Sequence, residues 1–145
     1  MKAYEIKLWK EVLHPIEAMK IASSKDAELY ARKFYSDDIG IYESMFVILL
    51  NRAGETIGYA KLSQGGTCST LFDVKILAKI AIDSMASAVI LVHNHPSGCL
   101  QPSRQDKELT RKAKSALELF DILLFDHIVL SETDYFSFND SAMII

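Results

Sequence analysis

The chain has 145 residues, half of them hydrophobic and 24% charged, with a formal net charge of −3. That length suits one domain able to bury about two-thirds of the surface its unfolded form exposes, and the composition indicates neither disorder nor a coiled coil. The basic residues are scattered rather than striped, which argues against strong nucleic-acid binding, and no apolar run is long enough to span a bilayer.

In chain order, Tyr4, Ile6 and Leu8 alternate with polar residues as in a short strand, amid charges that a secretory signal would lack, so the cytoplasm is the expected compartment. Ala27, Tyr30, Ala31 and Phe34 then recur at helical spacing. The apolar run 45–50 and the segment 56–62, separated by Arg52-Ala53-Gly54-Glu55, read as a hairpin. Gly65-Gly66 interrupts the pattern, and Asp73 stands where it can cap a helix whose Val74, Leu77, Ala78, Ala81, Ile82 and Met85 form one apolar stripe. Residues 88–92 have the composition of a buried strand that ends at His93. Pro96, Ser97, Gly98 and Pro102 make an irregular loop, after which Leu109, Ala113, Ala116, Leu117 and Phe120 repeat as the inner face of a third helix. Segments 122–130 and 135–138 close the chain as strands around a turn at 131–134. This order predicts one α/β domain over 1–145, a single mixed sheet with flanking helices.

The chemistry concentrates at the end of the 88–92 strand. Alternate residues of a strand face the same way, so His93 and His95 can converge. Ser103-Arg104-Gln105-Asp106 has the form of a helix start, with Ser103 as N-cap and Asp106 in the first turn. Taken singly, each piece has an ordinary role, as a cap or as a chance pair beside a turn. Together, two imidazoles and one carboxylate form a common catalytic zinc shell whose fourth position is open, which points to one Zn2+ per chain on His93, His95 and Asp106. Such a site also needs a carboxylate to move protons, and geometry leaves Glu43, Glu55 and Glu108 equal candidates.

The stretch His93-Asn94-His95-Pro96-Ser97-Gly98, continuing through Pro102-Ser103 to Asp106, resembles the JAMM (MPN+) metalloprotease motif, His-x-His-x7-Ser-x2-Asp, in the wording of the RadC family. The resemblance runs over about 43–140 and takes in Glu43, Gly65-Gly66-Thr67, Leu109-Thr110, Asp126-His127 and Tyr135-Phe136-Ser137-Phe138. It implies a cytidine-deaminase-like mixed fold, zinc on His93, His95 and Asp106, Glu43 as the residue that activates water, and Ser103 as a group that steadies the tetrahedral intermediate. Members of that family usually also carry an N-terminal helix-hairpin-helix region, and these residues resemble the JAMM domain alone.

A zinc-dependent hydrolase of peptide or isopeptide bonds is therefore expected, with a peptide or protein as substrate. The alternatives are a DNA-repair-associated accessory protein, which the family name implies, and a metal-stabilised interaction module without turnover. Cys99 is expected as a partly buried small side chain, and His127 as a histidine of the core or one supporting the metal ligands. Arg104, Lys107, Arg111, Lys112 and Lys114 are expected as the solvated side of their helix.

Overall fold

The computed structural model describes residues 16–65 and 72–144. The expected strand around Tyr4, Ile6 and Leu8 lies outside these residues, as do Gly66, Thr67, Cys68 and Ile145. The described elements run in the order α1 (Ser24–Arg32), a 3₁₀ turn (Asp37–Gly40), β1 (Ser44–Leu50), β2 (Thr56–Gln64), α2 (Val74–Asp83), β3 (Ala88–Asn94), α3 (Arg104–Glu118), β4 (Leu123–Leu130) and β5 (Tyr135–Ser137).

The five strands form one mixed sheet in the order β2-β1-β3-β4-β5. β1 pairs antiparallel with both β2 and β3, and β4 pairs antiparallel with β5. β3 and β4 run parallel, joined by α3 as a strand–helix–strand crossover. Side-chain alternation, shifted in β4 by an irregularity between Leu124 and Asp126, divides the core between the two faces. On one, Val47, Leu49, Val89, Leu91 and Leu124 pack with Leu77 and Ala81 of α2 and Ala113 and Leu117 of α3. On the other, Ile48, Leu50, Ile90, Val92, Ile128 and Leu130 pack with Ala27, Tyr30 and Ala31 of α1. Every residue of β1 is buried because the strand is central and covered on both faces, which is why it reads as an unbroken apolar run.

Each helix start has a local cause. Ser23 and Asp26 form a reciprocal capping box at α1, Ser103 and Asp106 form another at α3, and the Asp73 side chain accepts from the Lys75 N–H at α2. Helix ends correct two expectations. Met85 and Phe120 do not belong to the buried stripes of α2 and α3; they are 76% and 52% exposed. α2 stops at a Schellman turn in which Met85 takes a left-handed backbone (φ 55°), with Met85 N–H bonded to the Ile82 carbonyl and Ala86 N–H to that of Ala81. Asp121 (φ 56°) closes α3 in the same way, through bonds to Glu118 and, from Ile122, to Leu117. Apolar periodicity continued past both points, but the helical backbone did not.

Among the described residues no helix is long and apolar enough to cross a membrane.

Candidate metal centre

The strand alternation that buries Val89 and Leu91 against α2 and α3 carries on to His93, so its ring lies on the α3 face at the C-terminal end of β3. His93 is fully buried, and its Nε2 lies 2.8 Å from Nε2 of His95. The first turn of α3 brings Asp106 to both rings, with Oδ1 3.4 Å from His93 Nε2 and Oδ2 3.3 Å from His95 Nε2. Glu43, buried just ahead of β1, places a carboxylate oxygen within 4.8 Å of ring nitrogens of the two histidines. The four residues expected at the centre are thus brought together by the β1–β3 pairing and by the start of α3, whereas Glu55 is exposed beside the β1–β2 turn and Glu108 faces solvent, paired with Arg104 at 2.9 Å.

Asp106 occupies two settings that the sequence leaves as alternatives, the helix cap and the cluster of imidazoles. Its Oδ2 accepts from Ser103 N–H at 2.7 Å and its own N–H donates to Ser103 Oγ at 3.0 Å, while the same carboxylate faces both imidazoles. The cap fixes the carboxylate's direction, so helix start and site are one arrangement. Burial raises the Asp106 pKa, but the neighbouring imidazoles of His93 and His95, whose Nε2 atoms attract a proton or a cation beside it, and the Ser103 N–H outweigh it and hold the carboxyl well below the usual range. In turn Asp106, which accepts a hydrogen bond once a proton is added at His95 Nε2, raises the basicity of His95 despite burial. A pocket that draws a proton in this way also draws a cation. Moreover, His95 Nδ1 lies 2.6 Å from the Cys99 carbonyl oxygen, which can only accept, so Nδ1 carries the proton and the Nε2 lone pair faces the site. These donors fit zinc, which favours imidazole nitrogen with carboxylate oxygen.

Ser103 is exposed and its Oγ accepts the capping bond, which leaves the hydroxyl proton available to a bound ligand. Cys99 departs from expectation. It is exposed rather than partly buried, because the turn at Gly98 (φ 81°) carries the loop along the surface, and it serves the site through its backbone carbonyl rather than its thiol. His127 is wholly buried and lies 2.7 Å from His93 Nδ1, so it is both a core and a supporting histidine. Burial lowers its basicity well below the ordinary value.

Two residues stand within the quoted resemblance without a role. Asn94 stands between the histidines but points to the other face of the sheet, where it is fully buried. Its Oδ1 accepts from Ser44 N–H at 2.9 Å, and its Nδ2 donates to the carbonyls of Ile39 (2.6 Å) and Tyr42 (2.8 Å). Bonds to the residues on both sides of Glu43 hold that glutamate in register. An amide at the end of an otherwise apolar strand was the available signal, since a buried amide must find partners. The other is Thr110, whose Oγ1 lies 2.7 Å from His127 Nδ1.

Known proteins resemble the chain over most of its length. The sequence model of the RadC-like JAB domain matches residues 21–143. A protein named UPF0758 from Flavobacterium johnsoniae is 38% identical over 128 residues, which are 88% of this chain and 55% of that protein. Proteins of the same name from Porphyromonas gingivalis and Chlorobaculum parvum are 42% and 34% identical, over 70% and 86% of this chain and 45% and 55% of their own lengths. The chain therefore spans about half the length of the curated relatives it matches. With a single five-stranded mixed sheet, flanking helices and a possible Glu-His-His metal site, the chain belongs to the RadC-like JAB domain family.

Proposed function

We propose that the protein is a zinc-dependent hydrolase that cleaves amide bonds, peptide or isopeptide, with His93, His95 and Asp106 as metal ligands and Glu43 as general base. The observation that carries this reading is the convergence of two imidazole Nε2 atoms and a carboxylate within 3.4 Å, with a second buried carboxylate beside them. Zinc bound there would supply Lewis acidity, lowering the pKa of water from about 15.7 toward 7. Glu43 takes the proton of the attacking water and passes it to the leaving amine. Ser103 donates its hydroxyl hydrogen to the oxygen on which negative charge develops, its position fixed by the cap it makes. Asp106 stays ionised through the cycle because the Ser103 N–H donates to it and the cation it would help to hold favours the anion.

A peptide or protein substrate, rather than a nucleic acid, fits the charge of the surface. On α3, Arg104 and Lys114 are committed to Glu108 and Glu118 at 2.9 and 2.8 Å, which leaves the basic face weak.

The test is zinc content and turnover of the purified chain. About one zinc per chain is expected, lost in Asp106→Ala; full occupancy in that variant would remove Asp106 from the ligand set. Since the two apolar clusters do not depend on the metal, the chelated protein should keep a cooperative thermal transition, unlike a zinc finger. Peptide, isopeptide and nucleic-acid substrates are then compared with and without chelator, and chelator-sensitive cleavage confined to nucleic acid would overturn the amidase reading.

A further inference from the structure

We infer that His127 and Thr110 are positioning residues that fix His93 in the one tautomer able to offer Nε2 to a cation, and that they tie this ligand to the turn carrying Asp106. The inference rests on the zinc reading above. Its origin is the single proton of the Thr110 hydroxyl. Oγ1 lies 2.6 Å from the Asp106 carbonyl oxygen, which carries no hydrogen, so the hydroxyl proton sits between them. The same Oγ1 lies 2.7 Å from His127 Nδ1. With its proton committed, Thr110 can only accept there, and His127 carries hydrogen on Nδ1.

A neutral His127 then presents a lone pair at Nε2, 2.7 Å from His93 Nδ1. His93 must donate, so its own proton is on Nδ1 and its Nε2 lone pair faces His95 and Asp106. The relay begins at one proposed ligand and ends on the backbone of another, and all four residues are buried. His95 reaches the same tautomer by a simpler device, a bond to a backbone carbonyl. The two devices differ in robustness. A carbonyl can only accept, whereas His127 accepts from His93 only while Thr110 accepts from His127. Without the Thr110 hydroxyl, His127 Nδ1–H loses its partner, the proton is better placed on Nε2, and His93 is driven to carry its hydrogen toward the cation.

Thr110→Val replaces the hydroxyl by a methyl of similar size, and Thr110→Ser restores it. Zinc affinity is measured on the full chain by competition with a chromophoric chelator. Histidine tautomers are read in the metal-free proteins by two-bond ¹⁵N–¹H correlation at mildly alkaline pH. In the wild type and in Thr110→Ser, His93 and His127 are expected as Nδ1–H; in Thr110→Val, His93 is expected to gain the Nε2–H form and zinc affinity to fall roughly 10- to 100-fold. His127→Gln, whose amide oxygen accepts from His93 whatever Thr110 does, is expected to make zinc affinity insensitive to Thr110→Val. A wild-type His93 with its proton on Nε2, an unchanged affinity in Thr110→Val, or continued sensitivity in the His127→Gln background would each overturn the relay. Failure of the wild type to take up zinc would instead defeat the metal reading, while the metal-free tautomers still decide the relay.

Discussion

The buried face of α3 has two ends built on different principles. Toward its C-terminus, Ala113 and Leu117 pack into the apolar cluster over Leu91 and Leu124. Toward its N-terminus, the same stripe continues as Thr110 and Asp106, equally buried but polar, each side chain in a specific hydrogen bond. At the apolar end a side chain needs the right volume, and neighbours can adjust; at the polar end it needs particular donors and acceptors. Stability is therefore expected to reside mainly at one end and chemistry at the other.

The sharpest separation should come from Glu43→Gln. Because glutamine cannot accept a proton at neutral pH, hydrolysis should fall by roughly 10²- to 10⁴-fold with zinc stoichiometry intact, while Glu55→Gln and Glu108→Gln change little. Turnover and metal content of the three variants decide this, and lost zinc in Glu43→Gln would make the residue a ligand. The converse belongs to the apolar end. Leu117→Ala should lower unfolding free energy by about 2–5 kcal/mol in urea titrations yet leave one zinc per chain, and loss of zinc in the still-folded protein would dissolve the distinction between the ends.

Asn94 tests whether polar burial also serves stability. Asn94→Ala strips partners from the Ser44 N–H and from the Ile39 and Tyr42 carbonyls, so a loss of about 1–3 kcal/mol is expected, together with slower turnover at unchanged zinc content as Glu43 loses its register. Normal turnover in the folded variant would leave Asn94 a purely structural residue. The smallest effect lies outside both ends. Met85 pays a left-handed backbone penalty while mostly exposed, so Met85→Gly should stabilise the protein by about 0.5–1 kcal/mol, and a lower melting temperature would contradict the assignment of strain there.

The same division explains what could be read in advance. Strands β1 and β3 were legible because burial on both faces imposes continuous apolar runs, and the Asp73 and Ser103 caps because their chemistry is local. Met85 and Phe120 were misplaced because a helix end in a non-glycine residue leaves no compositional mark. His93, His95 and Asp106 lie within one short segment, where spacing alone restricts geometry. Glu43, Thr110 and His127 belong to different elements, and only the β1–β3 and β3–β4 pairings and the docking of α3 bring them into one site.

That difference in sequence distance also orders events in time. The bond between Ser44 and Asn94 spans 50 positions, so the β1–β3 pairing that seats Glu43 must close a long loop through β2 and α2 before it forms. Long-range strand pairing of this kind is slow beside the local turn that brings Asp106 toward the histidines. During refolding, on the proposed reading, the ion-holding residues should therefore come together before Glu43 is seated, and zinc uptake should precede the return of turnover.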